Sequence, residues 1–315
     1  MTTSQHVVLG GGQIGSLIAG QLARAGESVA MATRSGRDPQ IAGVSGIPVD
    51  ATDAASVRKA TEGAATVYFA VQPAYTDWPA GFPPLVDGVL GGLAGSGRRL
   101  VVVDNLYMYG PTDGKPIVET LPYAATTRKG RARTAMATRL LAADTAGDVR
   151  VAIGRASDFF GPGAVDTAVG GRFFPALLSG KAAEVFGDPS LPHTYSYAPD
   201  FARALIELGR HDEAFGRAWH VPNAPTVSTL RLVELAAAAA GTPPKSRRMS
   251  KLTLRIGGLF IPAARELIEM AYEFDEPFIV DDSAFRAAFP LEPTPLETSL
   301  AETVAWWRAR EGMEG

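Results

Sequence analysis

The stretch "HVVLGGGQIGSLIAGQLARAG" (His6–Gly26) decides the fold. Its first residues, His6 to Gly10, read as a short buried strand. From Ile14 onward the apolar residues recur at helical spacing, and Gly26 supplies a C-cap. Between strand and helix lies Gly10-x-Gly12-x-x-Gly15. Glycine permits the tight turn and lets the backbone approach a pyrophosphate, and the helix N-terminus then favours the negative charge. Such a pattern alone is weak, but strand before and helix after are the context it requires. The expected dinucleotide contacts are Gly10, Gly12, Gln13, Ile14 and Gly15.

Working outward, strand-like and helix-like segments alternate. "SVAMATR", "GIPVD", "ATVYFAV", "RLVVVDN" and "VRVAIGR" read as strands. "DAASVRKATEG", with Asp53 as N-cap, and "LVDGVLGGLAGSG" read as helices, and a long helix runs from about Thr127 to Ala146. This order predicts an α/β fold, a doubly wound parallel sheet covered on both faces. After Gly161 the pattern loosens into a helix "RFFPALLSGK", loops with short strands, a helix "PDFARALIELGRH" and a strand "AWHVPN". We expect a dinucleotide-binding domain over residues 1–160 plus about 195–240, and a smaller substrate-binding lobe over about 161–194 and 241–315.

The chain has 315 residues, 46% of them hydrophobic, which suffices for a large core. A formal net charge of −3 gives no reason to expect a nucleic-acid partner. The basic run "KSRRMSK" (Lys245–Lys251) reads as a solvated loop. With no cysteine there is no disulfide, thiolate metal site or cysteine nucleophile, which fits a cytoplasmic location. Four scattered histidines argue against a histidine metal site. No signal-peptide layout opens the sequence, and no apolar run reaches the roughly 18 residues of a membrane span.

The second strand ends in "ATRSGR". An NAD-preferring protein usually has Asp or Glu there for the ribose 2′-hydroxyl. Here Thr33, Arg34 and Ser35 stand instead, and a guanidinium pairs with a 2′-phosphate, so the expected cofactor is NADP(H). Asp50, in "VDATD", is expected to accept from the adenine amino group, with Ala51 on the ring. Ala70 and Val71, ending the fourth strand, should pack near the cofactor.

The glycine motif, "VDATD", "NLYMYG", "GRASDFFGPG" and "TYSYAPDFARAL" together resemble an atypical extended short-chain dehydrogenase/reductase of the NAD-dependent epimerase/dehydratase superfamily. The resemblance covers nearly the whole chain, down to "VAWWR". It implies a Rossmann domain, a C-terminal substrate lobe, dimerisation through helices flanking the active-site helix, and a Ser/Thr–Tyr–Lys mechanism. From that mechanism this sequence departs. Asn105 stands where the family has Ser or Thr. Lys129 fits the family's lysine, but Ala125 replaces the tyrosine four residues before it.

A lysine ammonium lowers the pKa of a neighbouring phenol and holds the nicotinamide ribose. Lys129 retains the second task, so the acid must come from elsewhere or be missing. Tyr107 is the first candidate, because strand parity points it to the same side as Asn105. Tyr109, Tyr123 and Lys129 itself remain open, and for each tyrosine the alternative is a packed aromatic. Asn105 is a candidate for holding a substrate carbonyl or a water. Gln72, Tyr75 and Trp78, from the loop after the fourth strand, are candidates for a substrate wall. Asp158 and His193 are substrate-side candidates, against a structural hydrogen bond and a surface loop. "RIGGLFIPAARELIEMAYEF" is apolar on most faces, as core or as pocket lining.

These readings point to an NADP(H)-dependent oxidoreductase that reduces a carbonyl or activated double bond of a small, fairly apolar metabolite. An epimerase or dehydratase that recycles a bound cofactor is the second reading, and a non-catalytic NADP-sensing protein the third.

Overall fold

The computed structural model describes residues 5–249 and 268–313. The chain divides into two compact units, residues 1–108, 128–155 and 201–221 in one and 109–127, 156–200 and 222–315 in the other. The first is built on a seven-stranded, wholly parallel sheet: β1 (His6–Leu9), β2 (Val29–Thr33), β3 (Val44–Pro48), β4 (Thr66–Phe69), β5 (Arg99–Asp104), β6 (Arg150–Arg155) and Arg217–His220. Their order places β3, β2, β1, β4, β5 and β6 side by side, with Arg217–His220 at the edge beside β6. The order reverses at β1 and β4, and in doubly wound sheets ligands bind where it does. Strands β1 and β4 are buried throughout, which accounts for their unbroken apolar runs.

Four helices intervene: α1 (Gln13–Arg24), α2 (Ala54–Ala60), α3 (Trp78–Leu93) and α4 (Arg128–Thr145). Helix α1 ends where Gly26 takes φ +80°, and the Asp53 carboxylate accepts from Ala55 N and Ser56 N to start α2. Both ends lie where the local chemistry predicts them.

The second unit gathers short strand pairs and helices around its own apolar core. Phe173, Phe174, Leu177, Leu232, Val233, Ala236, Leu300, Val304 and Trp307 are all buried in it. The Ala-rich helix Thr229–Ala240 contributes its buried face and stops at Gly241, in the left-handed conformation. The basic run is not a plain loop: Ser246–Met249 forms a strand parallel to Ala183–Phe186, with its first residues exposed. Backbone pairing, which charge patterning does not reveal, organises it. Ser250 and Lys251, and most of the apolar segment after it (residues 255–267), lie outside the described residues. No helix among the described residues is long and apolar enough to cross a membrane.

Candidate functional site

The glycine loop has the shape its spacing predicts. Gly10 has φ +108°, and a Cβ there would lie 2.9 Å from the backbone of Ala70 and Val71. On Gly15 a Cβ would meet the Gly10 carbonyl oxygen at 2.1 Å. These glycines bring β1, β4 and α1 into backbone contact, with Ala70 and Val71 bordering the loop. Gly12 differs, since nothing lies within 4 Å of its would-be Cβ. It is also the N-cap of α1, and no side chain caps that helix. Open space beside a helix N-terminus that no side chain caps could accommodate an anionic group. Gln13 and Ile14 open the helix, Ile14 buried against the sheet.

At the tip of β2, Thr33 Oγ1 accepts from Gly36 N at 3.2 Å and fixes the turn. Arg34 and Ser35 are exposed beyond it. Asp50 is exposed too, and its Oδ1 accepts from both Thr52 N (2.9 Å) and Thr52 Oγ1 (2.7 Å). Those bonds, the hydroxyl's first, hold its carboxyl below the usual range, with a smaller contribution from Arg34. The strand tips thus carry a guanidinium and a carboxylate that feel each other. Ala51 is buried, its carbonyl oxygen 2.3 Å from where a Gly88 Cβ would be. It therefore serves as a floor for α3, a role its place in "VDATD" did not suggest.

Lys129 stands in the first turn of α4 and is 1% exposed. Its Nζ lies 4.4 Å from the centre of the Tyr75 ring. The Tyr75 and Tyr107 hydroxyls are 3.5 Å apart. Trp78 meets Tyr75 edge-on at 5.2 Å and Tyr107 at 5.7 Å. Tyr107 does not reach this cluster by strand parity. Strand β5 ends at Asp104 and the chain turns at once, with Asn105 Oδ1 accepting from Tyr107 N at 3.2 Å. Asn105 thus shapes the turn that presents Tyr107. Trp78 is 3% exposed and lies beneath the two phenols, while Gln72 is exposed.

Neither Ala125 nor Tyr123 belongs to α4, which begins at Arg128. In the second unit, Tyr109 is buried and packs edge-on against Tyr123 at 5.8 Å. Gly110, at φ +71°, would bring a Cβ to 3.0 Å from Ala125 Cα, so backbone fills that space.

A buried charge cluster was missed in the sequence. Asp104 Oδ1 lies 3.3 Å from Arg133 Nη1, and its Oδ2 accepts from Arg155 Nε at 3.1 Å. The Arg133 guanidinium also covers the rings of Trp78 (4.2 Å) and Phe82 (4.6 Å). Burial pulls the pKa of Arg133 down, opposed by Asp104 first and by Tyr107 and Tyr75 after it. The available signal was a carboxylate closing the apolar run "RLVVVD" and an arginine one helical turn after Lys129.

In the second unit, His193 is a core residue. Its Nε2 is 2.8 Å from Asp158 Oδ2, and its ring lies parallel to Phe274 at 4.7 Å and near-parallel to Phe278 at 5.1 Å. Register brings the pair together, since Asp158 opposes Tyr195 and His193 opposes Val227 in adjoining strand pairs. Glu273 is buried beside them, and desolvation first, then the Asp158 charge, raises its carboxyl well above the ordinary range.

Comparison with known proteins agrees with this architecture. Residues 90–221 match the model of the NAD dependent epimerase/dehydratase family. A curated relative, dTDP-4-dehydro-6-deoxy-D-allose reductase of Streptomyces bikiniensis, is 27% identical over 49% of this chain and 42% of its own length. The chain thus aligns with less than half of that relative. An epimerase from Methanothermobacter thermautotrophicus superposes with a TM-score of 0.81 at 17% identity, covering 98% of this chain and 94% of that one. UDP-glucuronic acid 4-epimerase from Bacillus cereus, solved with NAD, gives a TM-score of 0.78 at 13% identity over 97% and 99%.

Proposed function

We propose that this chain, of which residues 90–221 match the NAD dependent epimerase/dehydratase family model, is a member of that family and an NADP(H)-dependent reductase of a small-molecule carbonyl or activated double bond. The observation that carries this reading is the cluster of Lys129, Tyr75 and Tyr107, which keeps the family's lysine beside phenols despite Ala125.

Gly10, Gly12, Gln13, Ile14 and Gly15 would hold the dinucleotide, with Ala70 and Val71 at its edge and Lys129 on its ribose. Arg34 and Ser35, exposed at the tip of β2, would take a 2′-phosphate, and the absence of an acidic residue there favours NADP(H) over NAD. Bound there, the nicotinamide supplies the hydride. Tyr107 donates the proton that the substrate oxygen gains, which the charge of Lys129 favours by stabilising a phenolate. Asn105 spends its carbonyl oxygen on the Tyr107 backbone and leaves its amide –NH2 to orient a substrate oxygen. Tyr75 offers an aromatic wall suited to an apolar group, while Arg133 and Arg155 are committed to Asp104. Asp158 is proposed as a substrate-side group of the second unit, with the buried His193 holding its carboxylate.

A second reading of the substrate, a sugar nucleotide, is favoured by the name of the curated reductase. One experiment addresses both. NADPH and NADH are titrated by fluorescence, and carbonyls, enones and keto-sugar nucleotides are then followed at the nicotinamide absorbance. NADPH consumption supports a reductase, and the active substrate class decides between the readings. Tight binding without consumption across the panel argues instead for cofactor recycling or sensing. No binding removes the premise.

A further inference from the structure

Tyr75 is the least expected member of the cluster around Lys129. It comes from the loop after β4, far in sequence from the helix where the family keeps its phenol. Yet its ring is the one 4.4 Å from the Lys129 Nζ, and its hydroxyl is the one that meets Tyr107. The hydroxyls are 3.5 Å apart, long for such a bond, as catalytic hydrogen bonds often are before a ligand tightens them.

The surroundings favour negative charge on this pair. Lys129, Arg133 and Arg155 bring three buried cations to this end of the unit, and each arginine contacts the Asp104 carboxylate. Arg133 is close enough to both phenols for their ionised forms to stabilise its charge, and the attraction is mutual. Opposite charge in a desolvated setting acts with little screening.

We propose that Tyr75 is the relocated partner of Lys129 and that its hydroxyl replenishes Tyr107, so that two phenols act as one proton donor. As the substrate oxygen takes the proton from Tyr107 Oη, that oxygen takes one from Tyr75 Oη. The negative charge then rests on Tyr75 beside Lys129 until water returns a proton. Tyr107 is the catalytic residue in this scheme, and Tyr75 acts through it. The step rests on the reductase reading, but the charge on the phenols is testable without turnover.

The test is ultraviolet titration of tyrosinate in the free protein, for the wild type, Tyr75→Phe, Tyr107→Phe and Lys129→Met. Phenylalanine at position 75 keeps a ring against Lys129 and Trp78, so it removes only the hydroxyl. Of the eight tyrosines, Tyr68 and Tyr195 are pushed up by burial and stay silent at moderate pH. The wild type should show a step about one pH unit or more below the ordinary value of about 10. Tyr75→Phe should remove that step, and Lys129→Met should move it upward. In turnover, Tyr75→Phe should lower kcat by about tenfold with KM kept, and shift the pH profile upward. The proposal is overturned if the low step is absent, or if it survives in Tyr75→Phe with the pH profile unmoved. Failure of the reductase reading looks different: no NADPH consumption by a wild type whose low step is present and is lost in Tyr75→Phe.

Discussion

A lysine ammonium with 1% exposure needs compensation where it sits, and part of it comes from the Tyr75 ring face. Its removal and that of the Tyr107 hydroxyl should therefore differ in kind. Lys129→Ala should weaken NADPH binding and turnover together. Tyr107→Phe should leave binding unchanged and lower kcat by about 10²- to 10⁴-fold, the span of general-acid catalysis. Fluorescence titration and single-turnover absorbance separate the two. A Tyr107→Phe protein that keeps full kcat would return the acid to another group. On the proposed reading, Arg34 carries the cofactor preference. Charged hydrogen bonds contribute about 1.5–3 kcal/mol, so Arg34→Ala should weaken NADPH binding by roughly 10- to 100-fold and leave NADH binding nearly unchanged. Equal losses for both cofactors would mean that Arg34 does not read the 2′-phosphate.

Elements, not residues, hold these groups in register. Strand β5 ends in Asp104, β6 in Arg155, and α4 brings Arg133 one turn after Lys129. The buried carboxylate thus ties two strand ends to the helix that carries the lysine. Asp104→Asn leaves two guanidinium groups short of their counter-charge. Breaking such a buried pair costs about 3–5 kcal/mol, to be read as a lowered urea midpoint. A midpoint that does not move would make this network dispensable. Gly15→Val tests the other anchor. A Cβ there would strike the Gly10 carbonyl at 2.1 Å, so dinucleotide affinity should collapse, while far-ultraviolet circular dichroism keeps its helical signal. The parallel sheet, the glycine loop and the Asp53 and Gly26 caps were legible because local periodicity and backbone demands specify them. The ion cluster and the His193–Asp158 pair were not. Their members are 29, 51 and 35 residues apart, and only strand register and the packing of α4 bring them together. Tyr75 was legible as a loop aromatic, but its place against Lys129 was not, because loop geometry has no period.

At the scale of the whole molecule, one buried carboxyl should mark the pH dependence of stability. Burial first, and Asp158 after it, raises Glu273 above its unfolded value of about 4.3. A carboxyl raised in the folded state binds its proton there after the unfolded chain has released one. Its contribution to stability is therefore fully present below the unfolded pKa. It is lost as pH rises from that value through the folded one, at up to about 1.4 kcal/mol per pH unit. Glu273→Gln keeps the neutral shape and cannot ionise. The variant should match the wild type near pH 4, exceed it at neutral pH, and lack the downward slope between. Urea unfolding from pH 4 to pH 8 reads this directly. Parallel curves for the two proteins would mean that Glu273 ionises in the folded chain as easily as in the unfolded one. The sign also separates this group from the ion-paired carboxylates: losing an Asp104 charge destabilises, whereas removing the ionisable group at Glu273 stabilises, because burial and the Asp158 charge both oppose its ionisation.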